Sequence, residues 1–455
     1  MQSNNQMKTY PKYKDSNIPW IGRIPQDWKI LTLKRIFSNR DGGAWGEDSK
    51  NNANDRICLR IADFDYPKMT IKHGINYTVR NYTTDVIDRL TLQKNDILIE
   101  KSGGGEQTPV GRTIIFTDSF NALYANFMDR LRVRQNTFLP KFIQYFLVSL
   151  YQNGITYQYI KQTTGIQNLD LTNLLAKENI ALPALEEQTT IAAYLDRKCS
   201  AIERVIEAES HIIEKLREYR QSLITEAVSH GLNPHAPMKA SGIPWIGRIP
   251  GHWNILKTLY VLLMPITDGP HTTPVHQETG IPFISAEAIS CGNGSIDFSH
   301  IWGYISQEFY DECCKKYKPE INDIYMIKSG ATTGKVAIVD TNLKFNIWSP
   351  LAVFRCDKSK VNFKYLFYFI QSDAYQKQIE NSWTFGTQQN IGMRTLEKLK
   401  ICFPPISEQK SIADFLDKKC SAIDSTISKK QQIIEKMTEY KKSLIYECVT
   451  GKLSI

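Results

Sequence analysis

The chain has 455 residues, 42% hydrophobic and 23% charged, which is long enough for two or three domains with cores of their own. That balance excludes wholesale disorder, and no apolar run approaches the roughly 20 residues needed to cross a bilayer. Nine scattered cysteines form no CxxC pair and eight histidines show no zinc spacing, so neither a disulfide framework nor a structural metal is expected. The polar start, Met1 to Asp15, does not look like a signal peptide, and a cytoplasmic setting is expected. The net charge is +9, and most of the excess falls in residues 1–182, which carry 24 Lys+Arg against 17 Asp+Glu. Such a balance suits a polyanion partner, because Lys and Arg contacts to phosphates release counterions.

In chain order, the first landmark is Ile18-Pro-Trp-Ile-Gly-Arg-Ile-Pro25, with Trp28 three residues on. It recurs unchanged as Ile243-Pro-Trp-Ile-Gly-Arg-Ile-Pro250, followed by Trp253. An internal repeat of this kind sets the architecture.

Residues 29–182 form a block of mixed α/β pattern. Extended runs are predicted at Ile57–Ile61, Asp96–Glu100, Gly111–Phe116 and Leu131–Arg134, and a helix at Pro140–Leu150. Residues 254–403 form a second block, with extended runs at Ile281–Ser285, Asp323–Lys328, Lys335–Val339 and Leu351–Arg355 and a helix at Phe363–Ile370. The blocks share only short islands.

After each block comes a nearly constant segment. Pro183 to Val228 matches Pro404 to Val449, with Glu187-Gln188 aligned on Glu408-Gln409 and Cys199-Ser-Ala-Ile202 on Cys420-Ser-Ala-Ile423. Early carboxylates suit a helix start, Ser407 is a candidate N-cap, and more than 40 residues without Gly or Pro follow. Leu195, Ile202, Leu216 and Leu223 recur at sevens, with Val205, Ile212 and Tyr219 as a second seam; Leu416, Ile423, Met437 and Leu444 repeat the pattern, with Ile433 and Tyr440. Gly231 and Gly451 should stop the helices. At 1.5 Å per residue each is about 65 Å long. An antiparallel coiled-coil pair is expected, since neither can bury its stripe alone.

Three pairs of glycine-bearing loops hold the candidate DNA contacts. The first is Asp41-Gly-Gly-Ala-Trp45 with Asp268-Gly-Pro-His-Thr-Thr-Pro274, offering Asp268, His271, Thr272 and Thr273. The second offers Lys101, Ser102, Gly103, Gln107 and Arg112, matched by Lys328, Ser329, Thr332, Thr333 and Lys335. The third offers Thr164, Gln167 and Asn168, matched by Thr387, Gln388, Gln389 and Asn390. Such side chains bind phosphates or read base edges, Arg and Lys to guanine, Asn and Gln to adenine. They are also the residues of ordinary solvated turns, but their matched placement in both blocks favours function. Gly330-Ala-Thr-Thr-Gly334-Lys335 imitates a phosphate loop with one residue too few, and Val336 stands where Ser or Thr would hold magnesium. No catalytic signature is present, and no catalytic or metal residues are assigned.

With its doubled Ile-Pro-Trp-Ile-Gly-x-Ile-Pro-x-x-Trp and doubled Pro-x-x-Glu-Gln-x-x-Ile-x-x-x-Leu-Asp, the chain resembles the specificity subunit of type I restriction–modification enzymes over essentially its whole length. The resemblance implies tandem target recognition domains of α/β (α+β) class, separated and followed by long spacer helices. The expected boundaries are 1–182, 183–231, 232–403 and 404–455. It implies a non-catalytic subunit in which each recognition domain reads one half of a gapped double-stranded DNA target and the helix pair sets the gap. The partners implied are two methyltransferase subunits using S-adenosylmethionine and restriction/translocase subunits using ATP and magnesium; this chain itself takes no cofactor. Trp20, Trp245, Glu187, Gln188, Glu408 and Gln409, which lie in the constant parts, are the candidate partner contacts. Asp268-Gly-Pro-His-Thr-Thr-Pro fits the family's Asp-Gly-x-His-x-Thr-Pro loop, while Asp41-Gly-Gly-Ala-Trp departs from it. A coiled-coil scaffold that reads no DNA, or the recognition part of a related restriction or methylation system, are the alternatives.

Overall fold

The computed structural model describes residues 9–162, 165–385 and 389–455. The chain forms two compact units: the chain up to Ser210 with Gln431–Ile455, and His211–Lys430. Each is built on the same plan.

In the first unit an antiparallel sheet runs in the order Thr113–Ile115, Ile97–Glu100, Met128–Val133, Phe37–Gly42. The second unit has Val336–Ile338, Ile324–Ile327, Leu351–Phe354, Thr267–Asp268 in the same order. Both central strands are apolar on both faces because each separates two cores. Ile97 and Ile99 face one cluster and Leu98 the other; Ile324 and Met326 face one, Tyr325 and Ile327 the other. Alternation along the strand divides the side chains this way. Each block is closed by pairing its first strand with its last: Lys29–Thr32 with Asn179–Leu182, and Asn254–Lys257 with Lys400–Phe403.

The block helices occupy Pro140–Gln152 and Phe363–Gln371, close to the predicted spans. The long helices are Leu185–His230 and Ile406–Val449. Gly231 and Gly451 follow them at φ +78° and +71°, a left-handed turn that suits glycine. Ser407 is not an N-cap: the helix already begins at Ile406, and Ser407 sits inside the first turn. No helix among the described residues is long and apolar enough to cross a membrane.

The helices pack antiparallel within each unit. In the first, Leu195, Cys199 and Ile202 join one core with Leu444, Ile445 and Cys448, and Glu203 pairs with Lys441. In the second, Ile224, Ala227 and Val228 join Ile412, Leu416 and Cys420, and Arg220 pairs with Asp424 at 3.1 Å. The expected second seam is wrong by register. Val205, Ile212 and Tyr219 are 41%, 39% and 56% exposed, and Ile433 and Tyr440 are exposed as well. The buried stripe instead steps four and three residues from Leu195, through Cys199, Ile202, half-buried Ile206 and Ile213. Polar residues occupy some stripe positions, and apolar residues just off it imitate a seam.

Candidate nucleic-acid interface

In the first unit two of the candidate loops meet at one turn, residues 124–128, and the third joins them through Ser102 and Gly103. Ala44 N–H donates to the Tyr124 carbonyl and Gly43 N–H to that of Met128, both at 3.0 Å. A side chain at Gly43 would put its Cβ 2.2 Å from the Ala125 oxygen, so only glycine allows this approach. Lys101 and Ser102 N–H both donate to the Phe127 carbonyl, at 2.9 and 3.2 Å. Ser102 then pairs with Asn168 across two short strands, and its hydroxyl donates to Asn168 Oδ1 at 2.6 Å.

Asp129, buried on the neighbouring strand, holds two cations at this junction. Arg40 Nε donates to it at 2.7 Å, and Lys101 Nζ lies 2.8 Å away. Asp41 pairs with the buried Arg130. Lys101, Ser102, Gly103 and Asn168 therefore lie together; Gly103 has φ +112°. Gln107 is exposed farther along the loop. Two candidates point inward. Arg112 donates to Glu100 at 2.8 and 3.0 Å and stacks 3.7 Å over the Tyr66 ring. Gln167 is 6% exposed, and its Oε1 accepts from Val110 N–H. Thr164 lies outside the described residues.

The second unit repeats the junction with other chemistry. Lys328 N–H donates to the Pro350 carbonyl at 2.8 Å, and a Cβ at Gly269 would fall 2.0 Å from the Ile347 oxygen. Ser329 bridges Asn390, and Gly330, at φ +106°, donates to the Gln389 carbonyl at 3.0 Å. Here the buried carboxylate is Asp268 itself. It bonds Lys316, with Lys328 Nζ at 3.3 Å and His271 Nε2 at 3.2 Å. Burial pushes its carboxyl up, but the Lys316 bond and the charges of Lys316, Lys328 and His271 outweigh that and hold it below the usual carboxylate range. Asp268 and Lys328 are thus 0% and 9% exposed. His271, Thr272 and Thr273 are exposed beside them. Thr333 hydroxyl donates to the Gly330 carbonyl, Thr332 is half-buried, and exposed Lys335 reaches the Ser290 carbonyl at 3.3 Å. Thr387 and Gln388 lie outside the described residues.

The six candidate partner contacts divide by exposure. Trp28 Nε1 donates to Glu187 at 3.3 Å and Trp253 Nε1 to Glu408 at 2.9 Å, tying each repeated tryptophan to a helix start. Gln188 and Gln409 are buried. Gln188 accepts from Leu139 N–H and donates to Pro183 O; Gln409 accepts from Asn362 N–H and donates to Pro404 O. Trp20 packs on Phe146 and Tyr446, whereas Trp245 is 40% exposed.

Sequence reading missed a duplicated clamp between each block helix and its long helix. Tyr145 hydroxyl donates to Asp196 at 2.7 Å, with Lys141 at 3.5 Å. Tyr368 donates to Asp417 at 2.9 Å, beside Lys364. Cys199 and Cys420 lie at matching places, and burial pushes both thiols up to about 11. Aligning the two block helices, where Lys141 and Tyr145 match Lys364 and Tyr368, would have found it. Arg40, Phe127 and Lys316 were also missed.

A family model described as the type I restriction modification DNA specificity domain matches residues 25–216 and again 270–436. The chain belongs to that family. Its role is DNA sequence specificity. A relative named for the type I restriction enzyme MjaX specificity subunit of Methanocaldococcus jannaschii is 27% identical, over 97% of this chain and 98% of its own. The type I restriction enzyme EcoBI specificity subunit of Escherichia coli is 20% identical, over 97% and 89%. A chain from a structural study of the assembly and conformational transition of a type I R-M system superposes with TM-score 0.67 at 16% identity, covering 94% of this chain and 99% of that one, so the fold is shared.

Proposed function

We propose that this DNA specificity protein reads a two-part, gapped target. The loop cluster at residues 41–45, 101–107 and 165–168 reads one half, and the cluster at 268–274, 328–335 and 389–390 reads the other. The observation that carries this is one repeated framework holding different side chains at the same junction. The long helices set the gap. Recognition domains bounded at 1–182 and 232–403, with spacers at 183–231 and 404–455, are the parts of this reading. The chain itself performs no chemistry and works in the cytoplasm. Methyltransferase and restriction/translocase subunits supply S-adenosylmethionine, ATP and magnesium chemistry. Two methyltransferases dock on the constant parts; exposed Trp245 is a candidate contact, while Gln188 and Gln409 act by fixing the helix starts.

Adenine-methylation mapping tests this. Cells carrying the chain with its methyltransferase partner should show a gapped two-part motif that cells lacking the chain do not. An active assembly that leaves no such motif would favour a scaffold role.

A further inference from the structure

Phe127 stands out at the first junction. It is 46% exposed, although its own carbonyl anchors both Lys101 and Ser102. Its ring is therefore presented on a fixed backbone rather than on a loose loop. The junction around it is cationic or polar: Lys101 and Arg40 on Asp129, Asn168 held by Ser102, and Lys161, paired with Asp170 at 2.7 Å, opposite Asn168 in the strand register. An exposed aromatic ring carried on the same turn that anchors Lys101 offers an apolar contact beside a cation, which suits a partner that is anionic and has an apolar group to bury. The Ser102 hydroxyl donates to Asn168 Oδ1 at 2.6 Å, and Asn168 is exposed. In the second unit the same carbonyl role falls to Pro350, so no equivalent ring is offered.

We propose that Phe127 is the apolar base contact of the first half-site and packs against a thymine C5-methyl group in the major groove. Thymine is the base whose major-groove edge carries a methyl, and apolar side chains recognise it there. The inference rests on the two-part DNA reading above and names one specificity determinant within it.

The test uses the full chain assembled with its methyltransferase subunits. Duplexes carry the mapped motif, and the half that changes when residues 29–182 are exchanged is taken as the first half-site. Each thymine in that half is replaced singly by deoxyuridine, which removes only the methyl group. One replacement should weaken wild-type binding about fourfold, the worth of one buried methyl-sized group. Phe127→Ala should bind that duplex and its parent equally, while Phe127→Leu should keep the discrimination. Wild-type indifference to every replacement, an alanine variant as sensitive as wild type, or a first half-site without thymine would overturn the proposal. A wild-type assembly with no sequence preference would remove the two-part reading itself, and this inference with it.

Discussion

The two junctions share a backbone and differ in where the charge is kept. In the first unit the buried carboxylate, Asp129, lies on a sheet strand, and its cations Arg40 and Lys101 keep a third of their side-chain surface exposed. In the second the carboxylate is Asp268, at the start of the loop itself, and Lys328 is drawn down to 11% side-chain exposure while Lys316 and His271 stay open. The framework therefore fixes where the loops meet, while the acid sits at a different place in each unit and the lysine beside it is exposed to a different degree. One fold thus carries two junctions whose cations are held differently.

The largest expected effect lies at the buried acids. Asp268→Ala should cost about 3 kcal/mol, because the poorly exposed Lys328 loses its counter-charge; a melting curve of the chain would read it. The effect has a pH sign. A carboxyl held below its ordinary value stabilises the fold above that value. The stability should therefore be present above about pH 3.8 and be lost as pH falls through the lowered folded value. Asp268→Asn should abolish that acid limb.

The long helices offer a similar contrast. Lys441 and Glu203 are about nine-tenths buried, with Lys441 also bonded to the Pro67 carbonyl at 2.7 Å. Lys441→Ala should cost about 3 kcal/mol, since it leaves a buried carboxylate alone. Arg220→Ala, which breaks the more exposed pair with Asp424, should cost about 1 kcal/mol or less. Equal losses on denaturation would show that burial does not set the difference.

A smaller effect is expected where a tryptophan meets a helix start. Trp253→Phe removes the indole donor to Glu408 and should cost about 1.5 kcal/mol, with helix content retained by circular dichroism. The gentlest test is Lys101→Met. Its ammonium, beside Asp129 on a side chain one-third exposed, should account for one phosphate contact, so the slope of log affinity against log salt should fall by about 0.9. An unchanged slope would mean that Lys101 serves only Asp129.

The sequence made the doubled frame legible because repeats, glycine stops and apolar runs are local signals. Trp28 and Trp253, the long helices and the three loop pairs could all be placed from it. The seam was misread because Tyr219 and Ile212 look apolar but lie one position off a stripe interrupted by Glu209 and Arg220. The inward turn of Arg112 and Gln167 was hidden, since their partners Glu100, Tyr66 and Val110 act through tertiary packing. Arg40 and Lys316 lie 89 and 48 residues from the acids they serve, a separation that no periodicity reveals.

In the proposed function each unit reads its own half-site. This is tested most directly by exchanging residues 29–182 for those of a relative with a different target and mapping adenine methylation in the cell. One half of the motif should change while the other half and the gap remain. A motif unchanged by the exchange, or altered in both halves, would contradict it.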